Sequence, residues 1–289
     1  MNEAETRAEH IDPALEPASK GDSKPEQHWP PQDVERGKYQ LFELRGFSAS
    51  SRLWRYMSFE KFCYLIESSK LYHARLDQFM DPFEGSVTHA YAQQRDSGIL
   101  DPYFSRVSLE PWIFKHLRLR SYAVCWYAGE EESDAQWRLY GAGDGGIAIV
   151  STLQRLYQAV SFTQSTGLLS DVQYVDFEKH DMLHRPFCTS MRPGFLKRKA
   201  FEHEKELRGI IQVEPNEDAG RLDDEFLERL RTNGPRGVEA DVLLPELLEE
   251  VVLSPLAPPY MELIVRRLTA RHGLDRLVRR SKLCEAPSY

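Results

Sequence analysis

Three carboxylates fall within five residues, at Glu202, Glu204 and Glu206, with Arg208 next along and the basic run Lys197-Arg198-Lys199 just before them. Carboxylates gathered this closely suit two kinds of chemistry: stabilising positive charge that develops on a substrate carbon, and holding a metal ion that stabilises a displaced phosphate oxygen. An extended backbone would put Glu202, Glu204, Glu206 and Arg208 on one face. The last turn of a helix would instead align Glu202 with Glu206 at i, i+4. In either geometry the alternative to a working site is a self-neutralising surface segment.

Arg55 stands in the otherwise apolar string Leu53-Trp54-Arg55-Tyr56-Met57. A guanidinium there must pair with an anion or reach water, because burying it alone is costly. It can hold a phosphate bidentately, or close an internal ion pair with the acids above. Trp137, Arg138 and Tyr140 precede the loop Gly141–Gly146. The two rings can wall a flat ligand and Arg138 can hold its anionic group; core aromatics beside a surface Arg is the plainer reading. The glycine loop precedes a strand and has no Lys-Ser/Thr after it, so it fits neither a Walker nor a dinucleotide pattern.

Weaker signals surround these. Asp81 and Glu84 flank Pro82-Phe83, where a turn that caps the next helix explains them more simply than a metal ion. His180 and His184 have i, i+4 spacing, but Asp181 stands where a zinc-helix motif carries Glu. Cys63, Cys125, Cys188 and Cys284 are widely spread with no C-x-x-C pair, which points to reduced thiols rather than a disulfide framework or a structural zinc site. No metal is expected.

The elements that must position these residues can be read from the pattern. A hydrophobic content of 41% allows a full core, and a formal net charge of -8 argues against a protein built to coat nucleic acid, though not against a local basic cleft. The helical stretch after Pro258-Pro259 carries Arg266, Arg267 and Arg271, a face open to nucleic acid, to an acidic partner or to solvent. No apolar run is long enough to span a bilayer and no signal segment opens the chain, so a cytoplasmic, non-membrane protein is expected.

Residues 1–38 are poor in large apolar side chains and read as a disordered tail, with Trp29 alone beside Pro30-Pro31. Residues 39–289 read as a single α+β domain, with 214–240 a long acidic excursion carrying a short helix near Phe226–Leu230. Strands are expected around 53–57, 71–76, 122–126, 147–151, 171–175, 207–213 and 251–253. Helices are expected after Ser58, over 86–95, 134–140 and 195–204, and from Pro259 to His272 with Gly273 as C-cap. Mixed strands and helices without strict alternation predict a central, largely antiparallel sheet flanked by helices.

Several of these strings together resemble the domain of unknown function 2971 family. They are Leu53-Trp54-Arg55-Tyr56, Leu71-Tyr72-His73-Ala74-Arg75, Asp81-Pro82-Phe83-Glu84-Gly85, Cys125-Trp126, Glu131 to Tyr140, Gly146-Ile147-Ala148-Ile149, and Lys197-Arg198-Lys199 with Phe201 to Arg208. The resemblance runs in order over most of residues 50–283 and brings no established reaction with it.

The order of features also resembles an ADP-ribosyltransferase-like fold: a basic residue in the first core strand (Arg55), aromatics before a middle strand (Trp137, Tyr140), and Glu206 or Glu204 opening a late strand. That resemblance implies an NAD-dependent ADP-ribosyltransferase or NAD glycohydrolase, with NAD as substrate. Glu206, or Glu204, would stabilise the oxocarbenium-like state, Arg55 would orient the pyrophosphate, and Trp137, Arg138 and Tyr140 would hold the nucleotide. Two other readings stand beside it. One is a non-catalytic binding or regulatory module whose acids pair internally. The other is a metal-dependent phosphodiesterase or nuclease.

Overall fold

The computed structural model describes residues 38–96, 111–141, 143–162, 165–182, 191–213 and 223–287. The expected tail therefore lies, apart from Lys38, outside the described residues, as do His184 and Cys188.

The strands in chain order are β1 (Tyr39–Leu41), β2 (Arg52–Ser58), β3 (Lys70–Arg75), β4 (Ser121–Ala128), β5 (Gly146–Thr152), β6 (Val160–Ser161), β7 (Ser165–Asp171), β8 (Gln173–Val175), β9 (Leu196–Arg198), β10 (Glu206–Val213), β11 (Gly237–Val242), β12 (Glu250–Leu253) and β13 (Val278–Arg280). The helices are α1 (Phe59–Ser68), α2 (His89–Asp96), α3 (Pro111–Arg120), α4 (Asp134–Tyr140), α5 (Leu153–Ala159), α6 (Asp224–Asn233), α7 (Leu244–Leu247) and α8 (Pro259–Ala270). The fold is α+β. Eleven strands form one mixed sheet in the order β1-β7-β10-β4-β2-β5-β12-β13, with β3, β11 and β6 branching from β4, while β8 and β9 form a separate parallel pair.

The branch arises because β4 has two partners along one edge. β2 pairs with it only through Leu53↔Ala128 and Trp54↔Tyr127. β3 pairs only through Ala74↔Ala123 and Arg75↔Tyr122. Between these contacts Val124, Cys125 and Trp126 have no ladder partner on that edge, so the sheet forks there. The other edge of β4 runs unbroken along β10 from Glu206↔Tyr127 to Gln212↔Ser121.

One face of the sheet is covered by α1, α5, α7 and α8. Phe62, Leu65, Ile66, Leu153, Leu156, Leu247 and Val265 pack there on Leu53, Met57, Trp126, Ile147, Ile149, Leu207 and Ile211. Burying each such side chain contributes roughly 1.5–3 kcal/mol, which is what holds the helices to this face. Gly209 belongs to the same layer, and the ring of Tyr39 occupies the space a side chain on Gly209 would need. On the opposite face α4 rests on Trp54, Tyr56, Ala148, Val150 and Val252, with Leu76, Ala123, Met191, Phe195 and Ile210 in a second apolar group.

Local signals account for many boundaries. Ser133 caps α4 by accepting from Gln136 N at 3.3 Å, and Asp223 caps α6 by accepting from Phe226 N at 2.8 Å. Gly273 takes φ +69 just beyond α8. One expectation needs correction. Residues 195–204 are not a helix: a 3₁₀ turn (Arg192–Phe195), strand β9 and a second 3₁₀ turn (Lys199–Glu204) replace it. Pairing of β9 with β8 overrides the local helical pattern. The short helix expected near Phe226–Leu230 in the 214–240 excursion is α6, and the end of the excursion supplies the first residues of β11, which pairs with β3.

Candidate functional site

The carboxylates meet where β9 hands over to β10. After the turn Lys199–Glu204, Lys205 adopts a left-handed conformation (φ 42), and β10 begins at Glu206. That reversal turns Glu204 and Glu206 back towards Lys197 on β9, while Glu202 stays exposed. The start of β10 is pinned by two bonds: Glu206 N donates to Tyr174 Oη at 2.8 Å, and Ala128 N to Lys205 O at 2.9 Å.

Lys197, 5% exposed, donates to Glu204, to Glu206 at 2.8 Å, and lies 3.3 Å from Glu84. Arg208, fully buried, reaches Glu84 at 2.7 and 3.3 Å and Glu206 at 3.0 and 2.6 Å. It also donates to Gly194 O at 2.7 Å. Glu84 comes from the turn after Asp81, whose own carboxylate accepts from Phe83 N at 3.1 Å and takes Arg198 at 3.1 and 2.8 Å. Two cations, Lys197 and Arg208, thus balance two anions, Glu84 and Glu206. Glu204 is left as the odd charge.

Its protonation reflects that balance. Burial, a hydrogen bond with Glu206 and the Glu206 charge push the Glu204 carboxyl up to about 7, against the pull of Lys197. Burial acts on Glu206 in the same direction, but Arg208, the shared hydrogen bond and Lys197 outweigh it and hold that carboxyl far below its usual range. Glu204 therefore titrates near neutrality while its neighbour stays ionised. Two carboxyls driven apart in this way are the arrangement that assigns one group to proton transfer and the other to permanent charge. The outward side of the pair is Tyr140, which is 46% exposed and donates its hydroxyl to Glu204 Oε1 at 3.0 Å.

The residues expected to form one site separate into four placements. Glu204, Glu206 and Tyr140 come together. Trp137 does not join them: it is buried, stands edge-on to Tyr56 with ring centroids 4.8 Å apart, and donates to Glu132 at 3.2 Å. Arg138 points to solvent, its side chain 78% exposed and paired with Asp134 at 2.8 Å along the same helix.

Arg55 lies on the other side of the sheet. Trp54 and Glu206 both stand opposite Tyr127 in their ladders, so their side chains share a face and Arg55, one residue on, points the other way. Its guanidinium reaches into the fork and donates to the Cys125 carbonyl at 3.2 Å. Removal from water lowers its affinity for the proton, with Cys125 and Tyr39 acting in the opposite sense. Nearby, Tyr39 and His73 are hydrogen-bonded to one another, and burial pulls His73 down to about 3, so that imidazole is neutral. Arg55 and Glu206 do not open into one hollow.

Sequence reasoning did not place Glu84, Lys197 or Tyr174 in the site. Glu84 had a signal in Asp81-Pro82-Phe83-Glu84-Gly85, where the turn and the left-handed Gly85 (φ +71) aim the carboxylate inward. Lys197 was visible only as part of a basic run, and Tyr174 carried no signal. No known family matches the chain, and no curated protein or solved structure matches it either.

Proposed function

We propose that the chain is an acid–base enzyme centred on Glu204, and that cleavage of an N-glycosidic bond of the NAD-consuming kind is the reaction its charges suit best. The observation that carries this reading is the convergence of Glu204 and Glu206 on one ammonium group, that of Lys197, with Glu84 beside them. When Glu204 gives up its proton the cluster holds one net negative charge, from +2 on Lys197 and Arg208 against -3 on Glu84, Glu204 and Glu206. An oxocarbenium-like carbon would be stabilised by that charge; nicotinamide leaves NAD as a neutral base with the bonding electrons and takes no proton, so ionised Glu204 would instead accept the proton of the water or hydroxyl that attacks that carbon. Tyr140 supplies an exposed ring and hydroxyl at the same point.

Glu204 then takes the role first considered for Glu206, whose oxygens are occupied by Lys197 and Arg208. Arg55, Trp137 and Arg138 hold no nucleotide in this reading. Asp81-Pro82-Phe83-Glu84-Gly85, the basic run and Phe201 to Arg208 supply most of the cluster. Those strings are also among the ones that resemble the domain of unknown function 2971 family, and we propose membership on that ground.

A second reading has its own support. Both oxygens of Glu84 and of Glu206 are bonded to Lys197 or Arg208, as in a structural ion cluster within a non-catalytic module. The same saturation makes these acids a poor donor set for a divalent ion. Among the described residues no group of three or more His, Cys, Asp and Glu could hold one.

Nicotinamide release from NAD separates the two. The enzymatic reading expects turnover by the wild-type chain, a loss of at least about a hundredfold in Glu204→Gln with the melting temperature retained, and a smaller loss in Tyr140→Phe. Absence of turnover, or equal turnover in Glu204→Gln, removes it and leaves the structural cluster.

A further inference from the structure

Helix α8 has two faces of different character. Met261 and Val265 are buried in the core layer. On the outer side Tyr260 is 63%, Leu263 54% and Ile264 42% exposed. Arg267 continues the same stripe, because positions three, four and seven apart lie on one side of a helix. Most of the basic residues expected to give this helix a charged face are engaged within the chain. Arg266 bonds Glu262 at 3.0 Å and the carbonyls of Asp275 and Val278 at 2.8 and 2.7 Å. Arg271 pairs with Glu67 at 2.9 Å. Arg267 is exposed and bonds to no other described residue.

The stripe is therefore apolar, with one free cation at its end. Its three apolar side chains open on the order of 300 Å², the size at which a surface patch is often functional. Leu256, in the turn ahead of the helix, and Pro259, at its first position, are also exposed and extend the apolar end.

The spacing fits a second copy of the same stripe. Positions 260, 263, 264 and 267 are symmetric about the midpoint between Leu263 and Ile264. A copy packed antiparallel about a two-fold axis there sets Leu263 against Ile264 of the second copy. It also sets Arg267 against Tyr260, where a guanidinium meets the face of a ring. At 1.5 Å per residue the two Arg267 side chains then stand about 10 Å apart along the helices. A parallel copy would instead set Arg267 on Arg267. An anionic partner fits less well, since it would find one free cation and a chain of formal net charge -8. That charge opposes two copies as well, but salt at physiological strength screens it beyond about 8 Å and leaves the apolar contact intact.

We propose that the outer stripe of α8 is the contact between two copies of this chain, packed antiparallel about a two-fold axis. One helix buries less than the roughly 800 Å² per partner of a standard interface, so the dimer is reversible and of micromolar strength. Val265 packs in the layer that holds Leu207, on the face of the sheet away from Glu206. The proposal therefore does not rest on the reading of the Glu204 cluster.

Sedimentation velocity of the full chain, from low micromolar to the highest soluble concentration and at low and high salt, tests it. The expected result is a monomer–dimer equilibrium that tightens as salt is raised. Leu263→Asp should abolish the dimer while keeping the melting temperature of the dilute protein, because that side chain is exposed in the monomer. Tyr260→Arg sets two cations opposite each other and should weaken the dimer at least about tenfold; adding Arg267→Glu should restore it. The proposal is overturned by a chain that stays monomeric throughout, by a dimer that loosens with salt or ignores Leu263→Asp, or by a double variant without recovery. Capture of the monomer by anionic vesicles, lost in Leu263→Asp, would overturn it too and assign the face to a membrane surface.

Discussion

Glu204 and Glu206 bond to the same ammonium group, that of Lys197, yet their carboxyls are driven in opposite directions, one up to about 7 and the other far below the usual range. The left-handed Lys205 between them makes this possible, because it brings two residues that flank a chain reversal onto one cation. From that pair and its surroundings four measurements follow.

The pH dependence of stability should carry the signature of Glu204. Its folded-state pKa is raised, so its contribution is fully present below about 4.5 and is lost as pH rises through about 7. Glu206 has the opposite sign: its contribution is present above about 4.5 and is lost as pH falls below that. Urea unfolding at pH 5 and pH 8 should therefore show the wild type losing stability relative to Glu204→Gln over that interval. Parallel profiles for the two proteins would contradict the assignment.

The two enclosed arginines should respond differently to the same change. Arg208→Met leaves Glu84 and Glu206 short of a counter-charge and should cost about 3–5 kcal/mol. Arg55 has no carboxylate partner among the described residues, and Arg55→Met gives up a single bond to the Cys125 carbonyl. The cost there should stay within about 1 kcal/mol, since the burden of enclosing a charge goes with it. Chemical denaturation of both variants checks the contrast, and similar losses would mean that Arg55 also balances a buried anion.

Trp137→Ala should destabilise by about 3–5 kcal/mol, because the ring fills the layer between α4 and the sheet. Arg138→Ala, next in sequence, should stay within about 0.5 kcal/mol. If Trp137 instead lined a ligand site, its removal would be mild in the free protein.

Lys205→Gly should raise stability by about 0.5–1 kcal/mol. The backbone there is left-handed and the side chain exposed, so glycine relieves strain, less the added entropy of the unfolded chain. A loss of stability would show that the lysine side chain has a role of its own.

Much of the frame was legible in the sequence, and the reason is visible in particular residues. The apolar run Ile147-Ala148-Ile149-Val150 is a strand buried on both faces, and Ser133 ahead of Asp134–Tyr140 is a working cap. Those signals are local. The segment 195–204 misled because its charge pattern suits a helix while its true partner, β8, lies outside that window. Arg55 misled differently. A lone cation in an apolar strand demands compensation, but here the demand is met by a carbonyl freed where two strands diverge, and no spacing rule announces such a fork. Glu84 belongs to the site through contacts with Lys197 and Arg208 that span more than a hundred residues, and Lys197 through a chain reversal that brings Glu204 and Glu206 back onto it.

The fork at β4 has a mechanical meaning. It divides the sheet into two plates, β2-β5-β12-β13 on one side and β3-β11-β6 on the other, joined along β4 as pages are joined at a spine. Over Val124–Trp126 no backbone bond ties one plate to the other, so a few degrees of opening there would break no ladder. Tyr127 and Cys125 sit along that spine on the same face as Glu206, which puts the easiest flexure of the sheet directly beside its most highly charged interior.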